Sequence, residues 1–565
     1  TKHSLLLYNI ILVMVPTKRD ISQVEEVDTD GQIVSNQKKT FRKNEHMQEK
    51  PLESNDDDDD DDEEGEEEEV THKSKNVSGS TAAYDIHVAR ETAELFQSNI
   101  FKLQIDELVG QVKLNEKHVL KVEKFLHRFY DLVQQIPDWE EKTISETLSY
   151  FKGKPVSIPF VDPKPAVTAT NYKFNYKAPE VSLIGSFALK TGIYQPQGSS
   201  IDVLLTMPKE LFEKKDFLNL RCLHKRSVYL AYFTYHLTNL LARDKLDDFL
   251  TVEYSYLHDD PLLPILTLKC QPGEDHKHEL NFHKTKFSIN LIIGFPYKIF
   301  ESKKLLPNKN CIRIAKEDND TPLEATSLYN YSVLSASAYE PYLKYLYKCK
   351  KETEAFREAS ILGRLWLQQR GFSSKISQSG SLGGFGTFEF STLMTVLLNG
   401  GGENGNKILL HGFSSYQLFK GVIKYLATMD LCTEGHLQFH SDITYAAAVS
   451  KYVQEGFQTP TIFDKSTKIN ILSKLSVSNY NILKFYAKET LAMLNDVVQD
   501  RFANIFLTNI NRSDQLKYDL CYDLKFPTNG SAESDLISKF TATERIKYIT
   551  IETVSYTHLT LPTKA

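Results

Sequence analysis

The sequence predicts an α+β protein in which a small mixed sheet precedes a helical domain. Three features point there. Residues 181–207 (VSLIGSFALKTGIYQPQGSSIDVLLTM) join a glycine-serine turn to a β-rich run. Two later apolar runs, Pro264–Cys270 and Phe287–Ile293, carry the β-branched and aromatic residues of further strands. From Ser327 to about Ile510 the apolar residues change to helical spacing.

A chain of 565 residues that is 41% hydrophobic can build several cores. One tract sets its formal charge of −7: Asn55 is followed by seven Asp, two Glu, Gly65 and four Glu, and without those thirteen acids the charge becomes +6. So dense a run repels itself and buries no apolar surface, which predicts a disordered acidic region over residues 1–83. It serves either as a solvating tail or as a contact for basic protein segments. The Leu5–Pro16 run falls short of the roughly 20 residues of a membrane span, and no small-residue cleavage site follows. We therefore exclude the first residues from the fold as a leader or appended end, and expect no membrane association. Cys222, Cys270, Cys311, Cys349, Cys432 and Cys521 stand singly with no CxxC pair, the pattern of reduced thiols in the cytoplasm or nucleus. His276, His278 and His283 lack a Cys at ligand spacing, so neither a metal site nor a cofactor is expected.

Taken in order, residues 84–150 carry two amphipathic patterns. Leu95, Ile100, Leu103, Ile105, Leu108 and Val112, then Val119, Val122, Phe125 and Phe129, predict two helices packed on the domain that follows. Pro155–Pro179 reads as a connection. The sheet-bearing domain spans 151–326, with a long helix over Phe217–Arg243 and strands over Phe249–Leu257, Pro264–Cys270 and Phe287–Ile293. On that helix His224, Lys225 and Arg226 form a basic cluster, either a solvated face or an RNA contact. The segment Ser302–Lys316 adds Lys303, Lys304, Lys309 and Arg313, a basic rim able to hold an RNA backbone. The helical domain spans 327–510, with helices over Tyr329–Lys350, Glu352–Arg370, Thr387–Leu398, Ser414–Leu431 and Asn481–Phe506. Gly383, Gly384 and Gly386 fit no dinucleotide-binding spacing and are assigned to close helix packing.

The opening stretch resembles the signature of the DNA polymerase β-like nucleotidyltransferases. There, a Gly-Ser pair opens a helix whose amides hold a triphosphate. An acid-apolar-acid strand follows, and a third acid on a later strand completes three carboxylates around two metal ions. Here the pair is Gly185 and Ser186, the strand reads Ser200-Ile201-Asp202, and the third position falls at Asn290. Asp259 and Asp260 are rivals for that position, although Pro261 and Pro264 place them in a turn. One acid in place of three predicts a site without metal and without catalysis, with Gly185 and Ser186 as a phosphate-binding vestige.

The pieces FQSNIFKLQIDEL, IGSFALKTG, IDVLLTMPKELFEKKDFLNLRCLHKRSVYLA, LGRLWLQQRGF, GGFGTFEFSTLMTVLLNGGG and SSYQLFKGVIKYLATMDL resemble the nucleolar RNA-associated protein family, Nrap, over roughly Phe96–Leu524. The resemblance implies an inactive polymerase-β-like nucleotidyltransferase domain followed by a helical poly(A) polymerase/oligoadenylate synthetase-like domain. It also implies a truncated start of a second such repeat at 511–554; SYTHLTLPTKA at 555–565 reads as a non-native tail. By the same resemblance the protein is a non-catalytic scaffold of the small-subunit processome in the nucleolus of the nucleus. Its implied partners are pre-rRNA, an rRNA-processing partner protein and casein kinase two. Two rivals stay open: an RNA nucleotidyltransferase of the CCA-adding or poly(A) polymerase type with weak residual activity through Asp202, and a nucleotide-binding regulator.

Overall fold

The structure, a computed structural model, describes residues 100–510 apart from 168–172, 273–277, 314–323, 377–381, 403–405, 433–436, 440–443, 446–458 and 497–498. The acidic region 1–83, Leu95, His276, Cys521, the 511–554 segment and the 555–565 tail lie outside the described residues.

Helix α1 (residues 100–112) buries Phe101, Ile105 and Leu108, an i, i+4, i+7 stripe, and leaves Ile100 and Leu103 in solvent. The expected face is thus rotated. Helix α2 (Glu116–Val133) begins at Asn115, whose side chain accepts the Lys117 amide, and buries Val122, Phe125 and Phe129. A small hairpin-like pair follows, β1 (Trp139–Lys142) against β2 (Phe174–Tyr176), with helix α3 (Ile144–Phe151) between them. Thr143 and Glu146 close a capping box at the start of α3. The connecting segment predicted from Pro155 to Pro179 therefore contains β2.

The main sheet has five strands: β3 (Glu180–Ile184), β4 (Ser199–Thr206), β5 (Leu250–Tyr256), β6 (Pro264–Cys270) and β7 (Phe287–Gly294). Their order is β3-β4-β7-β6-β5, with β4 and β7 parallel and the other pairs antiparallel. A single helical turn, α4 (Gly185–Ala188), links β3 to the loop before β4.

Helix α5 (Arg221–Arg243) packs between the sheet, β2 and α2, and is buried on all sides from Cys222 to Thr234. This corrects the expectation for its basic cluster, which is neither a solvated face nor an RNA contact. The Lys225 ammonium, 6% exposed, pairs with Asp216 at 2.7 Å and donates to the Leu211 carbonyl. Arg226 donates to the Leu262 carbonyl and lies over the Phe295 ring, and His224 Nε2 is 3.0 Å from the Pro163 carbonyl. A helix enclosed by three elements has no solvent for its charges, so each must find a partner inside.

The helical domain comprises α6 (Ser327–Ser335), α7 (Tyr339–Glu352), α8 (Phe356–Gln369), α9 (Thr387–Asn399), α10 (Ser415–Thr428) and α11 (Val477–Leu494). Helix α9 is buried from Glu389 to Leu398 and forms the centre of this domain. Trp366 of α8 is fully buried, and its Nε1 donates to Thr490 of α11. Three short strands, β8 (Leu437–Phe439), β9 (Thr444–Tyr445) and β10 (Ile462–Asp464), form a separate sheet that the helical reading lacked. The glycine loop before α9 also differs from expectation. Gly384 (φ +89) lies so close to the backbone of Lys474 and Leu475 that a Cβ would sit 2.4–2.6 Å from it, and Gly386 lies as close to Ser374. These glycines admit connecting segments rather than a second helix.

Candidate functional site

The face of the main sheet opposite α5 changes character along β4 and β7. At one end Ile184, Leu204, Ile265 and Ile292, with Leu257 and Leu263, make an apolar patch covered by Tyr339 and Leu343 of α7. At the other end Ser200 is exposed, paired across the strands with Ser288. Asp202 lies between them, half-buried.

The register places Asp202 directly opposite Asn290 on the parallel strand and opposite Ile184 on the antiparallel one. Asn290 Nδ2 donates to Asp202 Oδ1 at 2.9 Å, and Thr267 Oγ1 donates to Asn290 Oδ1 at 3.2 Å. The Ser255 and Thr267 hydroxyls are 2.6 Å apart, so a polar ladder runs across four strands and ends on the carboxylate. Its only acid at the three signature positions is Asp202; Ser200 and Asn290 stand at the other two. Gly185 has φ +71, and a Cβ there would lie 2.9 Å from Asp202 Oδ2. Only glycine both adopts this backbone and leaves the carboxylate its place.

Asp259 and Asp260, the rival acids, sit in the turn expected of them and are engaged with the helical domain. Asp259 pairs with Lys375 at 2.9 Å, and buried Asp260 pairs with Lys474 at 3.1 Å.

Burial raises the Asp202 carboxyl above its ordinary range; the Asn290 hydrogen bond and the charge of Arg364 on α8 oppose that rise. Arg364 is itself half-buried, and burial lowers its pKa against the pull of Asp202. Lys350, near the end of α7, is lowered by burial and then by the repulsion of Lys190 and Arg357. Sequence reading missed all four cations: Arg364 acts on Asp202, and Lys350 lies within electrostatic reach of Lys190 and Arg357. The available signal was the seven-residue spacing of Arg357 and Arg364, which puts both on one face of a helix. Of the six predicted contact residues, Lys303, Lys304, Lys309 and Arg313 are exposed, Lys304 beside Glu301 at 3.0 Å, whereas Lys225 and Arg226 are interior. Among the described residues no cluster of three or more His, Cys, Asp or Glu side chains is placed to hold a metal ion, and no helix is long and apolar enough to cross a membrane.

A five-stranded mixed sheet with a glycine-serine turn beside its acid strand, followed by a helical domain, defines a nucleotidyltransferase-type protein. Residues 141–352 match the family profile described as Nrap protein domain 1, and residues 355–509 match the Nrap protein PAP/OAS-like domain. The chain belongs to the Nrap family. It is 70% identical over 478 residues to U3 small nucleolar RNA-associated protein 22 of Saccharomyces cerevisiae, covering 84% of this chain and 39% of that protein. It is 29% identical to Nucleolar protein 6 of Xenopus laevis, over 73% of this chain and 33% of that one. The chain thus spans between a third and two fifths of the length of these curated relatives. Among solved structures, Cid1 in complex with the UTP analog UMPNPP aligns with a TM-score of 0.36 and 11% identity, covering 72% of this chain and 98% of that one.

Proposed function

We propose that this protein is a non-catalytic scaffold in small ribosomal subunit biogenesis, acting in the nucleolus. The observation that carries the reading is the Asp202 site. Two-metal phosphoryl transfer needs hard anionic ligands around both ions. Here one carboxylate is occupied by the Asn290 amide and faces Arg364, which disfavours a second positive charge beside it. The names of the relatives, a U3 small nucleolar RNA-associated protein and a nucleolar protein, support the same setting. In this reading the partners are pre-rRNA and processome proteins, among them an rRNA-processing partner protein and casein kinase two. The exposed Lys303, Lys304, Lys309 and Arg313 serve as an RNA-contacting rim. The scaffold is organised as N-terminal helices at 84–150, a nucleotidyltransferase-like unit at 151–326, a helical unit at 327–510 and a second repeat that begins within 511–554.

Two measurements test this. Ultraviolet crosslinking and purification of the tagged protein are expected to recover pre-rRNA together with processome proteins; recovery of tRNA or messenger 3′ ends alone would contradict the scaffold. Incubation with RNA, nucleoside triphosphates and magnesium is expected to give no extension. Magnesium-dependent extension that disappears in Asp202→Ala would establish an active transferase instead.

A further inference from the structure

We propose that the acidic tract of residues 56–69 docks in a lysine-rimmed groove where the sheet domain meets the helical domain, a contact this chain makes with itself. The docking rests on the groove and the tract; only its consequence, competition with RNA at Lys304, rests on the reading of the exposed rim as an RNA contact.

Two adjoining cavities form the groove. The larger, of about 460 Å³, lies past the C-terminal end of β7, between the loop that follows it, Lys214 ahead of α5, the end of α6 and the turn after β10. The smaller, of about 280 Å³, shares Leu334 with it and continues between α6 and the β10 turn. Asp202 and Asn290 line neither cavity. Their strands end four residues further on, at Thr206 and Gly294, roughly 13 Å along the sheet.

Packing fixes the walls. The Phe295 amide donates to the Ala336 carbonyl at 2.8 Å, tying the β7 loop to the end of α6. Phe300, 7% exposed, packs on Phe212, Phe217 and Phe295, so the floor is apolar. On the opposite wall Asp464 is fully buried and already engaged, accepting from Tyr342, the Ser466 amide and the Thr467 hydroxyl. Its carboxylate lines neither cavity.

Charge selects the occupant. Lys214, Lys298, Lys304 and Lys468 line the groove against one carboxylate, Glu301, which pairs with Lys304 at 3.0 Å. Among the described residues, Lys214, Lys298 and Lys468 have no carboxylate at ion-pair distance. A concave surface of one sign with apolar walls focuses its field and concentrates counter-ions. No arginine lines the two cavities. Ammonium groups are point charges without the planar fork that fixes one anion in one pose, so they suit a run of interchangeable carboxylates. The chain carries such a run, thirteen acids within residues 56–69.

Length permits the contact. About 30 residues separate Glu69 from Ile100, where the described fold begins, and at full extension they span roughly 100 Å. A body of about 400 residues has a radius of gyration of only about 22 Å. A tethered ligand that reaches its site is present at roughly millimolar effective concentration, so pairing between half-exposed charges suffices.

The test is zero-length carbodiimide crosslinking of the 565-residue chain, dilute and at low salt, read by mass spectrometry. Carboxylates of 56–69 are expected to join Lys214, Lys298, Lys304 and Lys468 about tenfold more often than the exposed Lys117, Lys424 and Lys488. That excess is expected to vanish at about 1 M salt, where the screening length is about 3 Å. In Lys214→Gln/Lys298→Asn/Lys468→Asn, crosslinks at the unaltered Lys304 should fall; Lys298 and Lys468 have φ +60 and +63, which asparagine accepts, so the variant keeps its fold. Crosslinks spread evenly over exposed lysines, formed only between copies, or unchanged at Lys304 in that variant overturn the proposal. Fluorescence anisotropy with a labelled single-stranded RNA reads the consequence. Replacing the thirteen acids by Asn and Gln should tighten RNA binding about tenfold, and less in the lysine-variant background. An equal gain in both backgrounds reflects long-range charge and overturns the docking. No RNA binding in any form, with the crosslinks in place, overturns the RNA rim and supports the docking.

Discussion

Lys225 and Arg226 on α5, and Lys190, Lys350, Arg357 and Arg364 around the helical face of the sheet domain, are the same residue types in different circumstances. The first pair lies in the core of the sheet domain, where Asp216, two backbone carbonyls and an aromatic ring take up the charge. In the second group Lys350, Arg357 and Arg364 are half-buried and Lys190 is exposed, and among the described residues none has a carboxylate at ion-pair distance. Position in the sequence does not separate them: HKR on α5 looks like a surface cluster, and Arg357 with Arg364 look like ordinary helix charges. The difference lies in what faces each group across space. A paired buried charge such as Lys225 is structural, and removing its partner costs several kcal/mol.

The same substitution at the two places breaks or sharpens this contrast. Lys225→Met leaves Asp216 buried without its cation and is expected to lose about 3–5 kcal/mol in urea denaturation. A loss near zero would remove Lys225 from the structural class. Lys350→Met is expected to shift stability the other way, a gain of about 1 kcal/mol or less at neutral pH, because the fold disfavours the charged form of Lys350.

Asp202→Asn tests the carboxylate that faces the cations. The folded pKa of Asp202 lies above its ordinary 3.8, so the fold holds that proton more tightly than the unfolded chain does. Its contribution to stability is therefore greatest below that ordinary value and is lost as pH rises through the folded pKa. Thermal melts should show Asp202→Asn gaining on the parent as the pH rises from below 3.8 through the folded pKa of Asp202. A variant that loses ground as pH rises would mean that Arg364 outweighs burial. The smallest effect belongs to the exposed rim. Lys304→Ala, which breaks only the surface pair with Glu301, should change stability by less than about 0.5 kcal/mol.

What was legible in the chain was local. The Gly185–Ser186 turn, the Asp202 strand and the runs that became β5, β6 and β7 declare themselves through φ demands, β-branched residues and length, all of which act within a few residues. So do α8, ended near Gly371, and α9, whose apolar run is bounded by glycines. Strands β1, β2, β8, β9 and β10 were not legible, because two to four residues carry no measurable period and form strands only when a distant segment pairs with them.

By itself the sequence determined that a nucleotidyltransferase-type signature is present with one acid at its three metal positions, since residue identity needs no folding to be read. Only the tertiary structure decided that Asn290 lies opposite Asp202, that Lys225 and Arg226 point inward, and that Arg364 of α8 faces Asp202. Each of those facts depends on segments tens to more than a hundred residues apart. Charge and hydrogen bonding act through space, so their partners are set by packing.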